Sequence, residues 1–322
     1  MTLATASCFH KLNCTLHPTD RLLIAFWGVL ALISVSFSSR IAWWWLLVLS
    51  DLAAAILVCA LAWISARTSS GLLRWMHDWN AFPLVIFTYK NIYFLTGQIR
   101  QGKDYDHLLI ALDKYLFQVN PTEWLARISN PFLTELLQIA YSLFYVFFLA
   151  VGIELYRKTD FSKFRYFRFT VVYGFFISYL GYFLMPAVGP RFTLHDFSKI
   201  NIELPGLFFT PALRWFIDFC ESIPSGASNS LAYARTQRDV FPSGHTMLTL
   251  VAIVLAYKYK TKVRHYLLII GMLLVFATVY LRYHYLVDIF AGILLALPCL
   301  ITAERFYAFM RGNPQRASPA EN

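Results

Sequence analysis

Long apolar runs are the feature that most constrains how this chain can fold. A helix needs roughly 18 or more apolar residues to cross the hydrocarbon core of a bilayer, and backbone in lipid must satisfy its own hydrogen bonds. Runs that reach or approach this length cover residues 22–37, 41–64, 81–97, 131–156, 167–186, 246–257, 266–281 and 285–302. The sequence therefore predicts an all-α polytopic membrane bundle with about eight transmembrane helices.

The composition argues against an ordinary soluble domain. Hydrophobic residues make up 58% of the 322 residues and charged residues only 14%, whereas soluble domains carry about 25% charged residues. The net charge of +10 comes from basic residues clustered in short loops between apolar runs, which membrane topology explains better than nucleic-acid binding. The five scattered cysteines show no disulfide framework and no metal-ligand spacing. We expect no nucleic-acid partner, no metal and no other cofactor.

Lysine and arginine residues in the loops predict the orientation of the bundle. The two termini and the loops on their side of the membrane hold 16 of these residues, and the longer loops on the other side hold 11. The strongest bias comes from residues 157–168 and 258–264. We therefore expect both termini to be cytoplasmic. The first apolar run has no clear cleavage site, so we expect it to remain as a membrane anchor.

Two longer stretches between the apolar runs are candidates for shaping substrate choice. In residues 98–130, apolar side chains recur at helical spacing with charged residues between them, which predicts an amphipathic helix on the membrane surface. Residues 187–241 form a long aromatic-rich loop punctuated by glycine, proline and serine. Loops of this length inside a compact architecture are often functional.

Two polar stretches at the ends of apolar runs contain the candidate catalytic residues. Residues 240–246 read Val-Phe-Pro-Ser-Gly-His-Thr, and residues 280–288 contain His284 and Asp288. His284 and Asp288 are four residues apart, so on a helix they would share one face. The Asp288 carboxylate could then accept a hydrogen bond from one ring nitrogen of His284 and leave the other nitrogen free as a nucleophile. His245 supplies a second imidazole that can donate and accept a proton. Both stretches fall on the extracytoplasmic side of the predicted topology.

Anion-binding groups are also predicted near these histidines. The peptide N–H groups of Ser243 and Gly244, at the start of a helix, can cradle an anion. Arg191, in the pair Pro190-Arg191, is the first candidate cation because a guanidinium binds phosphate oxygens in a bidentate manner. Arg282 is the second candidate. These groups predict a phosphate-binding site.

Structural alternatives accompany the weaker candidates. For Arg238, a role as a loop anchor is as well supported as contact with phosphate. Lys90 lies inside an apolar run, where snorkelling or a polar bundle interior is the main alternative to substrate contact. A His-x-x-x-Asp pair by itself is usually structural, so the catalytic assignment depends on both histidine motifs lying on one side of the membrane.

The two motifs resemble those of the type 2 phosphatidic acid phosphatase (PAP2) superfamily of membrane phosphatases and phosphotransferases. Its Pro-Ser-Gly-His signature matches residues 242–245, and the His-x-x-x-Asp end of its third signature matches His284 and Asp288. The resemblance implies that His284 becomes phosphorylated, that Asp288 orients it, and that His245 protonates the leaving group.

The resemblance also implies how the chain is divided. It covers about residues 81–302, which would form a six-helix catalytic core. Residues 1–80 would then form a cytoplasmic segment followed by a transmembrane hairpin. Residues 303–322 would form a cytoplasmic tail. The active site would face the extracytoplasmic, periplasmic or lumenal, side of the membrane.

Several positions depart from the family pattern. The first signature carries a Lys seven residues before an Arg-Pro pair, but Leu184 stands at the Lys position and the pair is reversed in Pro190-Arg191. Thr278 stands where the third signature has an Arg, and Arg282 offers a basic residue nearby. Together with Tyr280 and residues 112–122, this pattern is similar to the inositol phosphorylceramide synthase branch, which consists of inositolphosphotransferases.

The resemblance implies a lipid phosphotransferase that forms a phosphohistidine while acting on a phospholipid head group, with a lipid alcohol as a further substrate. One alternative is a lipid phosphatase that hydrolyses phosphatidic acid or a polyprenyl diphosphate. Another is a non-enzymatic lipid-binding or transport protein. His245, His284 and Asp288 favour an enzyme, whereas Leu184 and Thr278 favour the non-enzymatic alternative.

Overall fold

The structure, a computed structural model, describes residues 15–100 and 102–312. In those residues it contains α-helices, two short 3-10 turns and connecting loops, with no β-strand. The helices are α1 (Pro18–Ser36), α2 (Trp44–Ser65), α3 (Gly71–Trp79), α4 (Ala81–Arg100), α5 (Asp106–Phe117), α6 (Pro121–Leu125), α7 (Pro131–Ser142), α8 (Phe144–Arg157), α9 (Phe161–Leu184), α10 (Pro190–Thr193), α11 (Ile200–Glu203), α12 (Thr210–Cys220), α13 (Asn229–Arg235), α14 (Gly244–Lys258), α15 (Arg264–Tyr280) and α16 (Leu286–Arg311). The prediction of an all-α fold is confirmed.

Fewer helices than predicted are long and apolar enough to cross a membrane. Among the described residues, four helices meet this test: α1, α2, α9 and α16. Helices α7 and α8 meet at a 49° bend and make a fifth if they form one span. Helices α14 and α15 are apolar but have only 15 and 17 residues. The polytopic helical architecture is therefore confirmed with four or five candidate spans. The estimate of about eight counted apolar runs that fold as shorter helices.

Among the described residues, one compact unit consists of residues 15–95, 161–173 and 300–312. Within it, α1 and α2 pack against each other as the predicted hairpin. Buried polar pairs reinforce the packing of α4 in this unit: Trp27 Nε1 donates to Thr88 Oγ1 at 2.9 Å, and Asn91 Nδ2 donates to Asp51 Oδ1 at 2.6 Å. Such pairs satisfy polar groups that would be costly in lipid.

The second compact unit consists of residues 96–160 and 174–299 and contains both histidine motifs. In this unit α14 packs against α15 and α8, and α7 packs against α15 and α12. Helix α16 continues to Arg311, so the predicted tail begins within a helix. Residues 313–322 of that tail, and residues 1–14 of the predicted cytoplasmic segment, lie outside the described residues.

Helix α5 is amphipathic, as the sequence predicts, but its acidic side chains face inward. Asp106 and Asp113 are buried with Leu109, whereas the apolar Leu108 and Leu112 are exposed. Apolar side chains facing outward and polar ones facing inward are the arrangement expected where lipid rather than water is the outer solvent.

Candidate active site

The two predicted catalytic imidazoles lie side by side. Nε2 of His284 is 3.5 Å from Nδ1 of His245, and the ring centres are 5.7 Å apart. The His284 side chain is buried, and the His245 ring packs against the rings of Tyr141 and Phe144 at 4.8 and 4.4 Å. A group held on Nε2 of His284 would therefore be within reach of a second titratable ring in a largely apolar setting.

A tight turn at the end of α15 presents His284. Arg282 adopts a left-handed conformation with φ of 68°, which ends the helix. The N–H groups of Tyr283 and His284 both donate to the carbonyl of Thr278, at 2.9 and 3.0 Å. These bonds satisfy a helix-terminal carbonyl and fix the backbone from which the His284 ring projects.

Asp288 lies in the first turn of α16, whereas His284 lies in the turn two residues before that helix, so the two do not share a helix as the spacing predicts, although their side chains are in contact. Its Oδ2 is 3.4 Å from Nδ1 of His284 and accepts a hydrogen bond from the Tyr285 N–H at 2.8 Å. The carboxylate is fully buried, so the backbone donor helps to hold it in position. The distance to His284 is that of an ion-pair contact rather than a short hydrogen bond, and the orienting role of Asp288 stays a prediction.

Backbone bonds join the two histidine motifs directly. The N–H of Ser243 donates to the carbonyl of Asp288 at 3.1 Å, and the Ser243 hydroxyl caps α14 by accepting from the Thr246 N–H at 3.2 Å. Both groups of Ser243 are thus used in holding the structure. Gly244, as the first residue of α14, has an N–H without an acceptor in its own helix. Anion binding at Ser243 and Gly244 stays a prediction, with Gly244 the better placed donor.

A close approach at Gly292 makes this arrangement sensitive to one added methyl group. A Cβ atom at Gly292 would lie 2.6 Å from the carbonyl oxygen of Ser243 and 3.0 Å from Cβ of Thr246. We expect Gly292→Ala to lower the free energy of unfolding by about 1–3 kcal/mol, because α14 and α16 must move apart. Thermal unfolding in detergent micelles would measure this change.

The control for this variant is Gly97→Ala. A Cβ atom at this helical glycine meets nothing within 4 Å, so the substitution should leave the melting temperature unchanged or slightly raised. Equal melting temperatures for the two variants would contradict the close packing of the two motifs.

Arg191 is buried and already paired with acidic side chains. Its guanidinium donates to Oδ1 of Asp218 at 2.9 Å and to Oε2 of Glu221. Burial raises the pKa of Glu221 to about 7, while the charge of Arg191 opposes this rise. These carboxylates occupy the fork with which Arg191 would bind phosphate. Its predicted role in phosphate binding therefore requires that at least one of them be displaced.

A stack of rings separates the Arg191 guanidinium from the imidazole pair. Its Cζ atom lies 4.7 Å from the ring centre of Tyr283. Tyr283 stacks on Tyr141 at 4.2 Å, and Tyr141 stacks on His245 at 4.8 Å. Two tyrosine rings thus stand between the guanidinium and His245 along this stack. The structure brings His245, His284 and Asp288 together, and it connects Arg191 to the two residues before His284 through the Tyr283 ring and a bond from the Arg191 N–H to the Arg282 carbonyl at 3.0 Å.

The other predicted cations also have partners. Arg282 pairs with Oε2 of Glu203, and the Arg282 Nε atom is buried without a hydrogen-bond partner among the described residues. Arg238 lies 3.5 Å from Asp104 and donates to the Thr236 carbonyl at 2.7 Å, which is the arrangement of a loop anchor. Contact of Arg282 and Arg238 with phosphate stays a prediction.

Lys90 lies in the first compact unit, whereas the other predicted site residues lie in the second. Its Nζ atom is 5.9 Å from the ring centre of Tyr93, within the range of a cation–π contact. A role in substrate binding stays a prediction for Lys90.

Comparison with known proteins decides the family. The family model described as the PAP2 superfamily matches residues 107–302. This chain belongs to the PAP2 superfamily. The matched region contains the imidazole pair, Asp288 and most of α5. The inositol phosphorylceramide synthase branch is a finer assignment than this match.

A curated relative gives a more distant comparison. The PAP2 chain is 26% identical over 202 residues to a PA-phosphatase related-family protein of Dictyostelium discoideum. The aligned stretch is 57% of this chain and 33% of the relative, so the chain spans about a third of that protein. No solved structure matches the chain.

The departures from the PAP2 signatures have structural counterparts. Leu184, at the position of the family Lys, is exposed at the end of α9. Thr278, at the position of the family Arg, is fully buried and its hydroxyl donates to the Val275 carbonyl at 2.6 Å. Neither position supplies a cation, and Arg282 is the basic residue within the third signature of this PAP2 protein.

Asp113 is a buried carboxylate that was not among the predicted site residues, although residues 112–122 carried part of the family resemblance. Its two oxygens accept hydrogen bonds from the N–H groups of Leu286 and Val287, at 3.0 and 2.9 Å. These are the first two residues of α16, the helix that carries Asp288. Burial raises the pKa of Asp113, and the two backbone bonds oppose this rise. Asp113 thus fixes the start of the helix on which the His284 partner sits.

Asp106 lies two turns before Asp113 on α5 and connects two loops of the site. It accepts hydrogen bonds from the N–H groups of Val188 and Gly189, at 3.0 and 2.8 Å, and from the Tyr285 hydroxyl at 2.7 Å. Burial raises the pKa of Asp106, against these three bonds. The seven-residue spacing of Asp106 and Asp113 was visible in the sequence and places them on one helix face. The spacing alone does not show that this face is turned into the protein.

The pKa of His284 gives a prediction for the pH dependence of activity. Burial lowers this pKa to about 4, while the charge of Asp239 and a hydrogen bond to the Val240 carbonyl oppose the shift. The neutral ring is the nucleophile, so activity should persist as pH falls until His284 is protonated. We expect the acidic limb of kcat/KM well below pH 6.5, the ordinary value for histidine.

The matched variant for the pH profile is Asp239→Asn. Removing this negative charge should move the acidic limb to still lower pH, since the charge favours the protonated ring. An acidic limb near pH 6.5, or a shift in the opposite direction, would contradict the assignment of this limb to the buried ring of His284.

One group of side chains in the first compact unit has the composition of a metal site. Ligand atoms of His17, Asp20 and His77 lie within 4.8 Å of one another. Nε2 of His77 contacts Oδ2 of Asp20 at 2.7 Å, and its Nδ1 contacts Ser65 at 3.0 Å. Arg168 Nη2 donates to Nδ1 of His17 at 3.0 Å. Both nitrogens of His77 are engaged and a buried guanidinium would repel a cation, so these residues form a hydrogen-bond network that fits no metal ion.

Proposed function

We propose that this PAP2 protein is a membrane lipid phosphotransferase in which His284 carries the phosphoryl-containing group. The observation that supports this most is the 3.5 Å separation between Nε2 of His284 and Nδ1 of His245. A nucleophile and an acid–base group within such reach of each other can act on the same phosphorus atom. The buried carboxylate of Asp288, 3.4 Å from Nδ1 of His284, is placed to support the other side of the nucleophilic ring.

The proposed reaction has two displacement steps at phosphorus. In the first, the Nε2 lone pair of His284 forms a bond to phosphorus, and the bond from phosphorus to the lipid oxygen breaks. Protonated His245 gives its proton to that departing oxygen. In the second, His245 takes the proton of an incoming hydroxyl, whose oxygen bonds to phosphorus as the bond to His284 breaks. Both rings return to their starting state, and Asp288 supports His284 throughout.

Negative charge on phosphate requires cations or N–H donors. The geometry favours Arg282 over Arg191 for this role. The Arg282 partner, Glu203, has a side chain that is 36% exposed, whereas the Arg191 partners Asp218 and Glu221 are more enclosed. An anionic head group can displace an exposed carboxylate more readily than a pair of enclosed ones. The N–H of Gly244 would complete the phosphate contacts.

The molecule whose hydroxyl attacks the phosphohistidine decides whether the reaction is transfer to a lipid or hydrolysis by water. We favour a membrane phospholipid as donor and a lipid alcohol as acceptor, as in the inositol phosphorylceramide synthase branch. The rings of Tyr141 and Phe144 against His245 support an apolar acceptor. Hydrolysis is the alternative, supported by the name of the Dictyostelium relative, a PA-phosphatase related-family protein. A non-enzymatic lipid-binding protein is the remaining candidate.

Product analysis tests the proposal. Purified protein in vesicles would be given a head-group-labelled phospholipid with or without a hydroxyl-bearing lipid. A transferase moves the labelled, phosphorylated head group to that lipid, whereas hydrolysis releases it into water in either case. Absence of turnover in both conditions, with a range of donor lipids, would support the non-enzymatic candidate.

We also propose that the site faces the extracytoplasmic side, on the basis of the loop charges. Under this topology the turn at Lys260, which follows α14, is cytoplasmic. A cysteine introduced as Lys260→Cys, in a chain whose five native cysteines are replaced by alanine, should resist an impermeant maleimide added outside intact cells and react once the cells are permeabilised. Ready labelling in intact cells would invert the proposed orientation.

A further inference from the structure

Helix α12, in the long loop of the second unit, exposes an aromatic surface. From residue 207 to residue 220 every exposed side chain is apolar or a cysteine. The largest are highly exposed: Phe208 by 82%, Phe219 by 67% and Trp215 by 57%. Phe209 and Phe216 extend the same surface. A water-facing loop helix would instead expose its polar residues.

The polar side chains of α12 point into the protein. Arg214 is buried and donates to Oε1 of Gln138 at 3.3 Å and to Oδ1 of Asn201 at 2.9 Å. Asp218, one turn later, pairs with Arg191. The helix is therefore amphipathic with its polarity inverted relative to a water-soluble helix. An apolar medium rather than water would be the suitable solvent for its outer face.

The aromatic surface is held rigidly against α7. Glu135 accepts hydrogen bonds from the N–H groups of Leu207, Phe208 and Phe209 at 2.9, 3.2 and 2.5 Å. It also accepts from the N–H and hydroxyl of Thr210 at 3.2 and 2.6 Å. One buried carboxylate thus anchors the start of α12, and the orientation of the aromatic side chains follows from that anchor.

We propose that α12 lies in the interfacial region of the lipid bilayer, with Trp215, Phe216 and Phe219 among the head groups and upper acyl chains. The helix has 11 residues, too few to span the membrane. It packs against α7, where Phe132 and Leu136, one turn apart, are exposed, and α7 is half of the bent pair that could form a fifth span. Aromatic side chains are enriched at this depth of a bilayer.

The inner face connects this lipid contact to the site. Asp218 on α12 and Glu221, the next residue after its end, hold the guanidinium of Arg191. This second part of the inference rests on the proposed function: α12 helps the enzyme to take its substrate from the leaflet in which the helix sits. Lipid contact would then promote use of long-chain substrates without taking part in the chemistry.

Spin labelling measures the position of the helix directly. The five cysteines of the full chain are replaced by alanine, and Phe216→Cys is labelled in phosphatidylcholine vesicles. The control label is Ser225→Cys, at an exposed polar turn. We expect the label at 216 to be more accessible to oxygen than to a water-soluble nickel chelate, and the label at 225 to show the reverse. Equal access of the chelate to both labels would overturn the proposal.

A second copy of the chain is the competing occupant of this surface. It would broaden the spectrum of the label at 216 through spin–spin contact, and the broadening would vanish on dilution with unlabelled protein. That result would overturn the assignment to lipid.

Kinetics tests the link to substrate use. With Phe216→Ser and Phe219→Ser combined, KM for a long-chain lipid in vesicles should rise roughly tenfold, since interfacial binding scales with buried apolar area. KM for a short-chain soluble analogue should not change. Equal effects on both substrates, or no effect, would overturn this link. If the wild-type protein turns over neither substrate, the proposed function fails, and the spin labels alone decide the position of α12.

Discussion

Replacement of His284 by alanine is expected to lower kcat/KM by about 10⁴-fold or more. The reason is chemical: the proposed reaction passes through a bond between Nε2 of His284 and phosphorus, and alanine offers no atom that can form it. The His245 ring, 3.5 Å away, cannot take over both roles because it must manage protons in each step. Steady-state kinetics with a labelled phospholipid in vesicles measures the loss.

The control for this variant is another histidine. His265 lies in the first turn of α15, is exposed, and contacts the Tyr257 hydroxyl at 3.1 Å. His265→Ala should retain activity within about twofold of the wild type, as surface substitutions usually have small effects. Both variants should melt cooperatively near the wild-type temperature. Retained activity in a folded His284→Ala protein would end the mechanism proposed above.

Replacement of His245 by glutamine should have the second largest effect, and one that depends on the leaving group. Loss of a general acid–base costs typically 10²–10⁴-fold, so we expect a fall of that size with a lipid whose leaving group is an alkoxide. An aryl phosphate has a leaving group that departs without a proton, and formation of the phosphohistidine from it should be much less impaired. Glutamine keeps similar bulk against Tyr141 and Phe144.

The second step separates this account from a structural role for His245. Without a base to activate the incoming hydroxyl, the phosphorylated form of His245→Gln should accumulate with the aryl substrate and decay slowly. Rapid-quench measurement of bound label would show a burst followed by slow turnover. An equal loss of rate with alkyl and aryl leaving groups, and no burst, would show that His245 acts only on the fold.

The helical architecture could be predicted because lipid leaves few alternatives for an apolar run. The number of spans could not, since hydropathy does not show where a helix is capped. Ser243 caps the start of α14, and the left-handed turn at Arg282 stops the chain from continuing α15. These apolar runs therefore fold as helices of limited length. The proximity of His245 and His284 was accessible from sequence because two specific motifs fell on one side of the predicted membrane.

The environment of the arginines was not predictable in the same way. The partners of Arg191, Asp218 and Glu221, follow it by about 30 residues in an irregular loop without a repeating pattern. The sequence therefore suggested a free guanidinium where the structure has a paired one. For α5 the periodicity was correctly assigned, but periodicity alone cannot show which face is inside. The hydrogen bonds that Asp113 accepts from the N–H groups of Leu286 and Val287 settle that question.

The central claim is that phosphorus passes through the ring of His284. The most direct test is to mix the protein with a phosphate-labelled lipid donor, quench in base, where phosphohistidine survives, and locate the label by mass spectrometry of the peptides. The account predicts a phosphoryl-containing group on His284, absent from His284→Ala and more abundant in His245→Gln. Product formation with the label on another residue, or with no label on the protein at any quench time, would contradict it.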